Sequence, residues 1–344
     1  MTGHSAAASP AEHHSTPVDG VEVLGALSPS RAVDFVTCPL RYRFRTVDRL
    51  PEAPSPEAVR GTVVHQVLED LYDLPAAGRT PEAALALVEP AWKAVLAAEP
   101  DLAAVFTEGD AGDAEVPAEA WREQCRAAVR AYFELEDPTR IEPAEREAYV
   151  ETLLDSRLLL RGFVDRLDVA PDGALRVVDY KTGRAPAAGF EARALFQLRF
   201  YALVLWRSRG VVPRELRLVY LAAAETVSYA PDEDDLRATE RLVQAVWEAV
   251  RTARETGDWQ PQRSRACSWC SFKDLCPAWG GTPPPLPPLP SADDVPGEDG
   301  AEVVGAEPDQ RLAAHPARPV GDVDVVGHHQ DQAPGGLGGG GTGG

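Results

Sequence analysis

An acidic side chain and a lysine, Asp179 and Lys181, stand two residues apart in the segment VVDYKTG. The apolar residues before them predict a strand, and the two-residue period of a strand puts both side chains on one face. Asp165 ends the preceding predicted strand, so a hairpin would bring its carboxylate near Asp179. Carboxylates hold Mg²⁺ or Mn²⁺, the metal activates water, and an amine orients that water or offsets charge on a phosphate. The set indicates phosphodiester hydrolysis.

The plainer interpretation is a surface DYK triplet, because short strings of an acid, any residue and lysine are common. Composition favours the site. Lysine occurs only at positions 93, 181 and 273, and arginine is used elsewhere, so Lys181 indicates a need for a titratable amine. His65 is the one histidine of seven outside the predicted tails. A lone helix histidine is more often structural, but His65 could add a nitrogen ligand.

Four cysteines form a second candidate site. Cys267, Cys270 and Cys276 have the spacing C-x2-C-x5-C, and Cys38 lies far upstream. Four thiolates are the number that zinc or an iron–sulfur cluster needs, and the spacing does not distinguish the two. Buried thiols are the alternative, and that interpretation suits Cys125, which lies inside a predicted amphipathic helix. A site built from these four cysteines would join the two ends of the folded region.

Basic side chains flank the cysteines. Arg41 and Arg43 alternate with aromatic residues in RYRFR, and Arg263 and Arg265 precede Cys267. Such patches suit phosphates and bases, although a solvated basic face is an equal alternative for each arginine. They stand out because the chain has a net charge of −20, of which residues 25–280 keep −9 once the acidic tails are set aside.

The tails are predicted to be disordered, at 1–24 and at the Pro/Gly-rich acidic 281–344. The part between them, 25–280, is predicted to be one folded domain. The chain has no apolar run of membrane-spanning length, and its N-terminus lacks the pattern of a secretory signal, so we expect a cytoplasmic protein.

Periodicity predicts a mixed α/β or α+β fold with a single core. A short helix follows Ser28-Pro29, and a turn at 171–173 joins two strands. Helices are predicted at 57–73, 81–98, 117–135, 191–208 and 234–256, and strands at 146–154, 157–164, 215–221 and 225–229.

Six motifs in order resemble the RecB/AddB branch of the PD-(D/E)XK nuclease superfamily over about residues 26–280. They are LSPSRAVDFVTCPLRYRF, GTVVHQVLE, GFVDRLD, VVDYKTG, QLRFY and the closing C-x2-C-x5-C. The resemblance implies a restriction-endonuclease-like core, in which helices flank a central mixed sheet, with an N-terminal helical insertion and an iron–sulfur clasp.

The resemblance also implies roles for individual residues. Lys181 would be catalytic, and Gln197 and Tyr201 would support the site or the DNA. The implied metal ligands are His65, Asp165, Asp179 and the backbone carbonyl of Tyr180. The implied ligands of a 4Fe-4S cluster are Cys38, Cys267, Cys270 and Cys276.

The predicted activity is that of a metal-dependent DNA exonuclease, acting on single strands or DNA ends in repair or recombination. The chain lacks the G-x-x-x-x-G-K-[ST] phosphate loop of helicase-fused relatives. It would therefore act alone or with a separate helicase subunit. The alternative is a non-catalytic module that binds DNA ends or a partner and keeps the cluster as a scaffold.

Overall fold

A computed structural model describes residues 15–18, 21–52, 55–100, 102, 106, 118–183 and 192–287. The chain divides into two units, Met1–Gly305 and Ala306–Gly344, and every described residue belongs to the first. Most of the predicted C-terminal tail, and residues 1–14 of the N-terminal one, lie outside the described residues.

Helices and strands alternate in blocks along the described chain. The helices are α1 (Pro29–Thr37), α2 (Pro39–Tyr42), α3 (Pro56–Leu71), α4 (Pro81–Ala86), α5 (Val88–Ala98), α6 (Ala118–Leu135), α7 (Ala192–Arg209) and α8 (Glu233–Thr256). The strands are β1 (Ser15–Val18), β2 (Val21–Val23), β3 (Gly25–Leu27), β4 (Glu145–Leu153), β5 (Leu158–Val169), β6 (Leu175–Lys181), β7 (Glu215–Tyr220) and β8 (Glu225–Tyr229). None of the described helices is long and apolar enough to cross a membrane.

The main sheet is mixed, with strand order β3-β5-β6-β7-β8 and β4 paired to β5. β3 runs parallel to β5 and β6 parallel to β7, whereas the β4–β5, β5–β6 and β7–β8 pairs are antiparallel. Parallel neighbours need a crossover, which α7 provides between β6 and β7. The predicted mixed α/β fold, with helices flanking a mixed sheet, is confirmed.

Local signals account for most helix boundaries. Ser28 and Ser55 cap α1 and α3, each followed by proline, and the side chain of each accepts from a backbone N–H of the first turn. Gly257 ends α8 with a φ of 71°, which glycine adopts without strain.

The structure differs from the sequence prediction in two places. The predicted helix 81–98 is two helices that meet at Leu87, and the predicted strand 157–164 runs on to Val169. Within residues 1–24, which are predicted to form a tail, β1 pairs with β2 in an antiparallel ladder.

Helices cover both faces of the sheet. On one face, Leu175 and Val177 of β6 pack with buried residues of α7 and α8. On the other, Val178 and Tyr180 pack with buried residues of α3, α5 and α6. The alternation along β6 follows the two-residue period of a strand buried on both sides.

The regular alternation of side chains between the two faces is broken at one position in β4 and at the facing position in β5. Arg146 donates to the Glu69 carbonyl near the end of α3, but Ala148 packs in the cluster that contains α7 and α8. Residues two apart on a regular strand would share a face. Between them, Glu147 has a φ of 43°, an uncommon conformation for a side chain other than glycine. In β5 the same change occurs between Val164, which packs with Ala148, and Arg166.

Arg166 is a buried cation in β5, and it connects this strand to the helical layer that contains α3 and α6. Its guanidinium donates two hydrogen bonds to Glu136, at 2.7 and 3.0 Å, and one to the Tyr180 hydroxyl at 2.6 Å. It also forms an ion pair with Asp168 at 3.0 Å. Burial opposes ionisation of Glu136, but the hydrogen bonds and charge of Arg166 hold the pKa of that carboxyl below its usual value.

We expect Arg166→Ala to lower the free energy of unfolding by about 3–5 kcal/mol, because it leaves Glu136 buried without its main partner. The matched control is Arg214→Ala, whose exposed ion pair with Asp172 is screened by solvent, so its loss should leave the stability nearly unchanged. Urea unfolding of the two variants measures both values. Equal losses would contradict the structural role of Arg166.

Candidate functional site

Asp165 lies at the centre of the candidate site. Extending the β5–β6 register by one residue beyond Arg166 and Val178 places Asp165 opposite Asp179. The Asp165 carboxylate accepts a hydrogen bond from the backbone N–H of Tyr180 at 2.7 Å. The two predicted strands therefore do pair, and their pairing brings the two acidic motifs together.

His65 reaches Asp165 from α3. The Nδ1 atom of His65 lies 3.3 Å from Oδ2 of Asp165 and 3.9 Å from Oε1 of Glu147. His65, Glu147 and Asp165 each offer one ligand atom, and these atoms all lie within 4.8 Å of one another. One imidazole nitrogen and two carboxylate oxygens form a donor set that fits a divalent cation.

Glu147 is the member of this group that the sequence analysis missed. The β4–β5 register pairs Arg146 with Arg166 and Ala148 with Val164, which places Glu147 directly opposite Asp165. Its backbone is also the point where β4 changes face, and such unusual backbone conformations cluster at functional sites. Four glutamates lie between residues 142 and 151, and no sequence signal separates this one from the others.

Asp179 lies beside this group rather than in it, and it pairs with Lys181. The Lys181 Nζ atom is 2.8 Å from Asp179 Oδ2, and the Asp179 side chain is almost fully buried. Burial raises the pKa of Asp179 to about 6, the charge of Lys181 opposes the shift, and the charge of Asp165 adds to it. A cation nearby would favour the ionised carboxylate.

A hydrogen-bonded chain holds Lys181 in place. Its ammonium donates to Gln197 Oε1 at 2.8 Å, and the Gln197 amide donates to the Tyr201 hydroxyl at 3.3 Å. Tyr201 packs against β5 at Gly162, where a Cβ atom would lie 2.7 Å from the tyrosine ring. The structure thus brings Gln197 and Tyr201 to the site through Lys181.

The four cysteines come together elsewhere in the fold. They line one cavity, and the backbone N–H of Gln262 donates to Cys38 Sγ at 3.4 Å. The two distant segments therefore meet, as predicted. Their sulfurs are not compact, because among the described residues no three cysteines have sulfurs all within 4.8 Å of one another. Cys125 is confirmed as a buried core thiol.

The two predicted substrate-binding arginines have different surroundings. Arg41 lines the cysteine cavity, and its Nε atom lies 3.6 Å from Asp34. Arg43 is buried, forms an ion pair with Asp48 at 3.0 Å and donates to the carbonyl of Pro284. Its guanidinium is therefore engaged inside the protein rather than presented at the surface.

Residues 26–277 match the PD-(D/E)XK nuclease superfamily, and the chain belongs to it. The enzymes of this superfamily use divalent metals. Comparison with curated proteins finds no match to this chain.

Two solved structures resemble the chain. One is a protein from Eubacterium rectale, whose description as an exonuclease is itself provisional. It has 12% identity and a TM-score of 0.49, with 79% of this chain and 93% of that chain covered. The other is SSO0001, with 15% identity and a TM-score of 0.35, covering 74% of this chain and 86% of that chain.

We expect Glu147→Gln to weaken Mn²⁺ binding by about tenfold or more. Even residues that only hydrogen-bond to a metal ligand contribute that much to metal affinity. Calorimetric titration of the purified protein with Mn²⁺ measures this. The control is Glu145→Gln on the same strand, whose side chain pairs with Arg209. If Glu147→Gln binds Mn²⁺ with unchanged affinity, Glu147 is not a metal ligand.

Proposed function

We propose that this chain is a metal-dependent deoxyribonuclease of the RecB/AddB type that acts on single-stranded DNA or DNA ends. The observation that carries the proposal is the His65–Glu147–Asp165 group beside the Asp179–Lys181 pair, in a chain of a nuclease superfamily. We further propose that it works as an exonuclease in DNA repair or recombination in the cytoplasm, alone or with a separate helicase subunit.

The proposed ligands of Mg²⁺ or Mn²⁺ are the side chains of His65, Glu147 and Asp165, with Asp179 and the Tyr180 carbonyl completing the set. When bound, such a cation polarises the scissile phosphate and lowers the pKa of a water molecule. The Lys181 ammonium would orient that water and offset the negative charge that builds on the phosphate. Gln197 holds the lysine amine in a fixed position, which lowers the cost of reaching the reactive geometry.

Loss of the amine should abolish the reaction. We expect Lys181→Ala to reduce cleavage of end-labelled DNA by at least about 10²-fold, the usual effect of losing one charge-stabilising or proton-transferring group. Lys93→Ala is the control, because Lys93 is exposed on α5 and pairs with Glu89 on the same helix. If the wild-type protein cleaves neither single- nor double-stranded DNA with either metal, the proposed nuclease activity is wrong.

We also propose that Cys38, Cys267, Cys270 and Cys276 hold a 4Fe-4S cluster. All four cysteines line one shared cavity, which supports a site that takes all four thiolates as ligands. Arg41 and Lys273 also line the cavity and would offset the charge of the four thiolates.

Elemental analysis of anaerobically purified protein should find about four iron atoms per chain. We expect Cys267→Ser to lose this iron together with its visible absorption band, because three thiolates hold the cluster poorly. Cys125→Ala is the matched control and should keep the iron, since Cys125 lies in a separate helical core. Stoichiometric zinc in place of iron would contradict the cluster.

The alternative function is a non-catalytic module that binds DNA ends or a protein partner. The net charge of −9 over residues 25–280 favours it, since most nucleic-acid-binding proteins are basic. Against it stands the retention of the acids and the lysine in one connected arrangement. DNA binding that Lys181→Ala leaves unchanged, with no cleavage by the wild type, would support the module.

A further inference from the structure

Two large aromatic side chains stand half exposed on β4 and β5. Tyr149 and Phe163, called here the aromatic pair, are direct cross-strand neighbours with ring centroids 5.3 Å apart. Tyr149 is 48% exposed and Phe163 is 52% exposed. Rings of this size are usually buried, so their joint exposure indicates a surface that meets another molecule.

The aromatic pair lies next to the candidate metal ligands. Tyr149 is two residues from Glu147, and Phe163 is two residues from Asp165, which is roughly 7 Å along a strand. That length corresponds to about two base steps of a stacked DNA strand. A nucleotide beside the cleaved bond would therefore be within reach of the rings.

The aromatic pair also faces the side of the sheet from which His65 comes. The neighbouring residues Ala148, Val150 and Val164 pack in the cluster with α7 and α8, so the alternation of a strand turns Tyr149 and Phe163 toward the other side. His65 belongs to α3, which covers that other side. The rings and the candidate metal ligand thus share one face.

The exposed area is too small for a protein partner. Aromatic side chains have about 150–250 Å² each, so two half-exposed rings offer roughly 200 Å². A stable protein interface buries about 800 Å² per partner, of which more than half is non-polar, so the rings cover well under half of the apolar area that it needs. Only one other large apolar side chain is exposed on the described parts of β4 and β5, and this is Val169 at the far end of β5. An area of this size suits one or two nucleobases.

We propose that the aromatic pair stacks on bases of a single DNA strand next to the bond that is cleaved. The proposal rests on the proposed nuclease function and names its substrate more closely. Stacking on side chains requires bases whose faces are free, as they are in single strands and frayed ends. The aromatic pair would therefore give the enzyme a preference for unpaired DNA, with little dependence on sequence.

The test compares two single-stranded oligonucleotides of equal length, one with bases throughout and one with abasic positions, which carry the same phosphates. Fluorescence anisotropy measures their binding to variants in a Lys181→Ala background, where DNA stays intact. We expect Phe163→Ala to weaken binding of the normal strand about tenfold and to leave the abasic strand unaffected. Tyr149→Phe, which keeps the ring, and Val169→Ala, which is exposed on the same strand, should bind both like the parent.

Each contrary result is distinct. Equal weakening on both oligonucleotides, or no weakening on either, would overturn base stacking. If size-exclusion chromatography shows that Phe163→Ala changes the oligomeric state, the aromatic pair belongs to a protein interface. This result would overturn base stacking as well. Thermal unfolding confirms that the exposed substitution leaves the fold intact. If Phe163→Ala weakens binding of the normal strand alone but the wild type cleaves no DNA, the proposed nuclease function is wrong and base stacking still stands.

Discussion

The backbone hydrogen bonds that hold β5 between β4 and β6 determine which side chains can meet. The β4 register sets Glu147 opposite Asp165, and the β6 register, continued one residue beyond Arg166 and Val178, sets Asp165 opposite Asp179. A slip of one residue in either ladder would put its two facing carboxylates on opposite faces of the sheet. The change of face at Glu147 and Asp165 then leaves both carboxylates where His65 arrives from α3. Among the described residues, strand pairing therefore positions these carboxylates.

This arrangement is electrostatically costly, and the surrounding structure offsets the cost. Carboxylates that converge in a partly buried place repel one another, and burial raises the pKa of Asp179. Lys181 reduces the repulsion from one side, and a divalent cation would reduce it from the other. One residue after Asp165, the buried Arg166 network ties β5 to Glu136 at the end of α6. The rigid frame thus holds in place side chains that would otherwise move apart.

Much of this could be predicted from the sequence, because the signals are local. The two-residue spacing of Asp179 and Lys181, the turn at 171–173 and most helix boundaries follow from periodicity and capping. The approach of Cys38 to the distant cysteine segment was predicted from thiol number. Glu147 could not be predicted, since its role comes from a long-range register and an unusual backbone conformation. The burial of Arg43 against Asp48 was equally hidden, because a basic aromatic string looks the same on a surface and inside a fold.

The central claim is that one cation binds where β4, β5 and α3 meet. Anomalous diffraction from crystals grown with Mn²⁺ tests it directly, because the manganese signal locates the ion without reference to activity. The account predicts one strong peak within coordination distance of His65, Glu147 and Asp165. A peak bound by Asp165 and Asp179 but out of reach of Glu147, or no peak in this region at saturating Mn²⁺, would contradict it.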